Sequence, residues 1–256
     1  MRARATIDAL IKSASAQYWN TDFFGYFKAR GKMRGDPAFH AILRQGLLTG
    51  AERILDLGCG QGLLAAWLDA ARRRNDERPH LWPKEWPPPP RPISFRGIEL
   101  RRRDAWRAQV ALGGVADIEV GDIAEADFGI VDAIVVLDVL HYLDSQAQHR
   151  VLERARAALS PGGIMLLRVG DAGSGVRFTV GHCIDWTVMA THHWRRPRMF
   201  CRSVPEWQHL LTAMGFRNET LPMSAGTPFA NTLLIARPHP KPRPSRNLTD
   251  SLITHD

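Results

Sequence analysis

Three glycines alternate with other residues in Asp56-Leu57-Gly58-Cys59-Gly60-Gln61-Gly62. Without Cβ atoms the backbone can bend sharply there and let a ligand lie against it. The spacing is GxGxG, and Leu63 stands where a dinucleotide-binding loop carries its last glycine. Asp56 lies two residues before the first of the three. Its carboxylate would repel a pyrophosphate and attract an ammonium group. Glu99 closes the run Phe95-Arg96-Gly97-Ile98-Glu99, and a carboxylate at a strand tip can accept hydrogen bonds from both hydroxyls of a ribose. Asp122, in Val120-Gly121-Asp122-Ile123, can take the exocyclic amine of adenine, and a backbone amide beside it can meet a ring nitrogen. His141 titrates near neutrality and is the candidate general base; a side chain that only packs beside the ligand is the other reading.

These residues need elements to hold them at one edge. Residues 53–57 read as a short buried strand that runs into the glycines and then a helix at 63–74. Strands at 94–100, 117–120, 133–137 and 164–169 alternate with helices at 102–112 and 145–159. The apolar run 133–137 is of the kind buried on both faces. This alternation argues for a parallel sheet with helices on both sides. Upstream, residues 4–18 have helical periodicity, residues 18–35 interleave aromatic and basic side chains, and Asp36-Pro37 opens a helix to about Thr49, ended by Gly50. Downstream, residues 176–190 have helical character. Ser203-Val204-Pro205-Glu206 is a capping box for a helix to about Met214. Two strands follow, at 216–221 and 232–235.

The organisation expected is an N-terminal helical cap at 1–50, a main domain at 51–237 and a tail at 238–256 with few apolar groups. Residues 75–93 hold seven of the seventeen prolines and read as an exposed, polyproline-like insertion. That insertion explains why Glu99 lies 39 residues beyond Gly60, where about 20 is usual.

The chain has 256 residues, 45% hydrophobic and 23% charged, which excludes a wholly disordered or collagen-like protein. Three cysteines (Cys59, Cys183, Cys201) form no even framework and no CxxC pair, which suits a reducing, cytoplasmic setting. Cys59 itself reads as a small buried side chain. No apolar stretch reaches the ~20 residues that cross a bilayer. The formal net charge is +8, and residues 1–35 carry seven Lys or Arg against two Asp. Such a field favours an acidic partner: nucleic acid, a membrane surface or an acidic carrier protein.

Together these features make the chain resemble a class I S-adenosylmethionine-dependent methyltransferase over roughly residues 50–237. The matching residues are Asp56-x-Gly58-x-Gly60-x-Gly62, Glu99, Gly121-Asp122, the strand at 132–138 and Ser160-Pro161-Gly162-Gly163. The resemblance implies an α/β fold: a Rossmann-like, seven-stranded, mostly parallel sheet with helices on both faces and an antiparallel last strand. S-adenosyl-L-methionine is the implied cofactor. By the same resemblance Gly58 and Gly60 lie against its methionine half and Asp56 holds its amino group. Glu99 takes the ribose, Asp122 and Ile123 take the adenine, and Gly62, Leu100 and Asp138 complete the cofactor set. Residues 138–142, His141 among them, face the sulfonium and the acceptor.

The acceptor is the least legible part. In this family cap elements precede the first strand and follow the fifth, here residues 1–50 and 171–202. Tyr26, Arg30, Lys32, His182 and Trp186 are the substrate-binding candidates they supply. The string at 24–37 is similar to a poorly characterised bacterial branch seen beside lipid or aryl-polyene biosynthesis functions. That likeness implies a small, aromatic or carrier-bound acceptor, with the basic N-terminus docking an acidic acyl carrier protein. The alternative is an RNA or other nucleic-acid methyltransferase that uses the basic surface. Against it, Leu137-Asp138-Val139-Leu140 is not the [DN]PP[YF] of amino-group adenine methylation. A protein methyltransferase and a non-catalytic cofactor-binding partner are further readings. His182, Asp185, His192 and His193 could ligate a metal, but HxxD spacing is common by chance and no metal is expected.

Overall fold

The structure is a computed structural model that describes residues 2–173, 199–224 and 230–240. Seven strands form one sheet in the order β3-β2-β1-β4-β5-β7-β6. They are β1 (Arg53–Leu57), β2 (Ser94–Glu99), β3 (Asp117–Val120), β4 (Val131–Leu137), β5 (Leu159–Gly170), β6 (Phe216–Pro222) and β7 (Asn231–Pro238). The first five pair in parallel, while β7 runs antiparallel to β5 and to β6. The fold class read from the sequence is therefore the one observed.

Period-two alternation assigns each strand residue to a face. Ile54, Phe95, Ala133, Val135, Ile164 and Leu166 join one apolar cluster with α1 (Arg2–Ala16), α2 (Phe23–Gly35), α3 (Pro37–Arg44), α4 (Leu63–Glu77) and α5 (Arg102–Leu112). Leu55, Ile98, Ile134, Val136 and Leu167 join another with α6 (Ser145–Ala158) and α7 (Val204–Ala213). Asp56, Glu99 and Arg168 share the parity of Ile54, Phe95 and Leu166. All three therefore point to the face covered by the N-terminal helices.

Helix starts follow local chemistry. Asp22 Oδ1 accepts from Gly25 N at the head of α2, and Asp36 Oδ1 accepts from Ala38 N (3.0 Å) at the head of α3. Asp144 does the same for α6 through Ala147 N (2.8 Å). Glu206 Oε2 accepts from Ser203 N and Oγ, both at 2.7 Å, at the head of α7. Helix α3 ends earlier than Gly50, because Gly46 already takes a left-handed φ of 61°.

The proline-rich insertion corrects its own reading. Its first residues extend α4, and Pro79–Leu81 form a 3₁₀ turn. Trp82 and Trp86 are buried and meet edge to face at 5.5 Å. Thr6 donates to the Leu81 carbonyl (3.2 Å), and Pro87 packs where a Cβ on Gly46 would sit. Two indoles give the segment enough apolar area to fold back onto α1 and the turn after α3, so it is only partly exposed. The expected helix at 176–190, the side chains at 182, 185, 186, 192 and 193, and the tail at 241–256 lie outside the described residues.

Candidate functional site

The tips of β1, β2 and β4 and the glycine loop make one edge of the sheet. Gly58, Gly60 and Gly62 have φ of 70°, 58° and 70°, all in the region that disfavours a side chain. A Cβ on Gly58 would stand 2.3 Å from Val139, so that glycine lets the loop pass under the turn after β4. At Gly60 a Cβ would meet nothing within 4 Å, so bare backbone there faces open space. Gly58 N and Cys59 N both donate to the Ile98 carbonyl (2.8 and 3.1 Å), which locks the loop to the end of β2. Cys59 is buried as expected, and burial first, then Asp56 and Glu99, raise its thiol pKa.

Glu99 is buried at the tip of β2. Its Oε2 accepts from Gly60 N (2.8 Å) and its Oε1 from Arg101 N (2.9 Å). The carboxylate is thus aimed at the loop glycine over which a ligand would lie. Asp56 is 3% exposed. Burial, then the neighbouring Glu99 charge, push its carboxyl up to about 7. Among the described residues no cation opposes that rise, so an ammonium group would supply a countercharge to this carboxyl. Asp122, at the end of β3, is exposed and caps its own turn through Ala124 N (2.8 Å), while Ile123 beside it is buried. Leu100 is largely exposed just past Glu99. The edge thus offers an acid for an ammonium, an acid for a diol and a bare loop beside them. These residues fit an adenosyl amino acid.

Asp138 directly follows β4 with φ 59°, a left-handed backbone rare for a residue with a side chain. Its carboxylate is paired rather than free: Arg168 Nε donates to Oδ1 (2.8 Å), Arg168 also reaches Oδ2, and Lys32 Nζ stands 3.6 Å away. Arg168 is buried and pairs with Asp36 as well, and Lys32 completes the square 3.1 Å from Asp36. Burial opposes ionisation of Asp36, yet Arg168 and then Lys32 hold its carboxyl far below the ordinary carboxylate range. Lys32 is thus brought to the β4 tip. Arg30 and Tyr26 are half-buried on the same helix, Tyr26 with its ring edge to face with Trp19 at 5.0 Å. His141 sits half-buried on the 3₁₀ turn Leu140–Tyr142, its ring centroid 4.1 Å from that of Tyr142. Its carbonyl accepts from Phe200 N (2.8 Å).

Sequence reasoning missed two holds on this edge. Tyr18 is fully buried and its hydroxyl donates to the Gln61 carbonyl (2.7 Å), which ties the end of the cap's first helix to the glycine loop. At the other end, Arg107 of α5 reaches Asp22 (2.6 Å) and Asp104 (3.1 Å), and Gln61 Nε2 donates to Asp104 (3.1 Å). Helix α2 is thereby fastened to α5 at its head and to β5 at its foot, so it lies across the strand tips. The available signal was a charged Arg168 inside an otherwise apolar strand, which demands partners that the sequence cannot name.

The family model described as "Methyltransferase domain" matches residues 28–221. A curated relative, the carboxy-S-adenosyl-L-methionine synthase of Chromohalobacter salexigens, is 31% identical over 119 residues. That match spans 44% of this chain and 38% of the relative, well under two thirds of its length. An O-methyltransferase family protein from Burkholderia thailandensis has a similar fold, with TM-score 0.59, 18% identity, 83% of this chain and 58% of that one. So does magnesium protoporphyrin IX methyltransferase from Synechocystis PCC 6803 with SAH bound, at TM-score 0.54 and 17% identity, covering 84% of this chain and 88% of that one.

Proposed function

This chain belongs to the methyltransferase-domain family, and we propose that it moves a methyl group from S-adenosylmethionine to a small, aromatic or carrier-bound acceptor. The observation that carries the reading is the pair of buried acids, Asp56 and Glu99, beside the glycine loop whose backbone is bare at Gly60. S-adenosylmethionine supplies a methyl already activated on a sulfonium, so the protein's part is to hold and align. Asp56 holds the amino group. Glu99 takes the ribose hydroxyls, with Leu100 beside it, and Asp122 and Ile123 take the adenine. Gly58, Gly60 and Gly62 form the floor, and Asp138 shapes the β4 tip through Arg168.

The acceptor lies between that tip and α2, near Tyr26 and Lys32, with His182 and Trp186 as further candidates; Arg30 stands on the outer side of the same helix. His141 is the candidate to take a proton from an acceptor that binds protonated. A strong carboxylate pair to the sulfonium would stabilise the ground state that must lose its charge. The bound state of Asp138, turned onto Arg168, suits that requirement. An acidic acyl carrier protein fits the basic N-terminus, and nucleic acid is the second reading that the same charge favours. Among the described residues no helix is long and apolar enough to cross a membrane.

Incubation with methyl-labelled cofactor plus RNA, acyl carrier protein or a panel of aromatic acids should place label in the aromatic or carrier pool. Label in RNA alone would replace this acceptor assignment with the second reading.

Cofactor binding should also depend on pH. Asp56 is neutral below about 7 and charged above it. An ammonium beside it favours the charged form, so binding releases a proton and tightens as pH rises. The expected gain is about fivefold between about pH 6 and about pH 7, below the range near ~8 in which the ligand's own amino group loses its charge. Calorimetry should show that slope for the natural protein and a flat profile for Asp56→Asn; a slope unchanged in Asp56→Asn would remove Asp56 from the site.

A further inference from the structure

Helix α2 is fastened by its inner side, where Gly25, Ala29 and Met33 are buried. Helical spacing puts Phe23, Phe27, Arg30 and Arg34 on the opposite stripe. Phe23 is 81% and Phe27 52% exposed, and their rings touch at 4.4 Å. Phe24 is 58% exposed next to that stripe, and Trp19, in the turn before the helix, is 72% exposed. Ring contacts from Trp19 through Tyr26 to Phe27 make these side chains one continuous apolar patch. Single exposed apolar residues need no explanation, but four large aromatics clustered on one projecting element do.

The charges along the outer stripe itself, Arg30 and Arg34, have one sign. Asp22 is engaged by Arg107 and Arg103, and Asp36 is turned inward to Arg168, so neither acid of the segment faces the outer end of the stripe. Arg34 is exposed at the far end of the stripe with Arg30 one turn before it, while the exposed Arg103 at the helix head is paired with Asp22 at 3.5 Å. We propose that this outer stripe of α2, with Trp19, docks the protein on an anionic lipid surface. Phe and Trp enter the boundary between headgroups and acyl chains, while the cations stay among the headgroup phosphates. An acidic protein that met only the charge would leave these rings in water, whereas a bilayer takes up rings and cations together. Nucleic acid is gripped by a charged groove that tracks its backbone, whereas these rings stand on the convex side of a helix. The inference holds whether or not methyl transfer is the activity.

The test is co-sedimentation of the full chain with vesicles of phosphatidylcholine alone and of phosphatidylcholine mixed with phosphatidylglycerol. The protein should pellet with the mixed vesicles and stay in solution with the neutral ones. About 1 M salt, where the Debye length is about 3 Å, should weaken the pelleting. Phe23→Ser with Phe27→Ser should lower the bound fraction constant about tenfold or more, since two apolar side chains lose their buried site. Arg34→Glu should lower it as well. All these positions are solvent-facing, so thermal melting should match the natural protein and separate lost docking from lost folding. The proposal fails if the natural protein ignores mixed vesicles, or if the double serine variant pellets equally well. It also fails if sizing shows a dimer that the serines dissolve while vesicles bind neither form, because a second copy then covers the patch.

Discussion

Glu99→Ala should weaken S-adenosylmethionine binding by a factor of about 100 or more, the largest loss expected from any single change at the cofactor edge. Hydrogen bonds to a charged group are worth about 1.5–3 kcal/mol each, and a diol would make two. The carboxylate also has a second task. It accepts from Gly60 N and Arg101 N, so its removal leaves two backbone donors at the loop without that partner. Glu99→Gln keeps one acceptor oxygen and should fall between the natural protein and alanine. Asp122→Ala should cost less than either, because that carboxylate is exposed and competes with water. Titration calorimetry measures all three, with melting temperature as the check on folding. Equal affinity of Glu99→Ala and the natural protein would end the ribose assignment, and with it the reading of the whole edge.

What the sequence showed about this edge was local. The bend at 58–62 is written in glycines, and the observed φ values are those that glycine alone adopts freely. Helix α5 and strand β3 begin and end where periodicity and turn residues place them. The apolar run of β4 is buried on both faces, as its lack of alternation requires. The parts that were not legible depend on distant partners. Arg168 and Asp36 are 132 positions apart, and Tyr18 and the Gln61 carbonyl 43. Nothing in either neighbourhood announces the other. The stretch at 18–35 looked merely aromatic and basic. It folds as a helix because Asp22 caps it and because both its ends are held by arginines from elsewhere in the chain. The proline-rich insertion misled in the opposite direction: prolines suggested solvent, while Trp82 and Trp86 decided for packing.

The square of Asp36, Arg168, Asp138 and Lys32, buried at Asp36 and Arg168, carries the second large prediction. Arg168→Met fills a similar volume but leaves two inward carboxylates with only the half-exposed Lys32. Breaking a buried pair from one side typically costs about 3–5 kcal/mol, and that loss is expected in denaturant unfolding near neutral pH. The pH dependence has a definite sign. In the natural protein the folded-state carboxyls of Asp36 and Asp138 lie below their ordinary value. Their contribution is therefore present above the unfolded carboxyl pKa of about 4 and is lost as pH falls through and below it. In Arg168→Met the same carboxyls are buried with less cationic support and shift upward, so stability falls as pH rises through their new range. The two stability curves should converge toward acid and diverge toward neutrality. A deficit below about 1 kcal/mol, or one that is the same at both ends of the range, would show that the square is not what fastens α2. Because Glu99 and Gly60 are held separately by β2 and the loop, folded Arg168→Met should keep most of its cofactor affinity. Its loss should fall on the acceptor side, where α2 and the β4 tip meet.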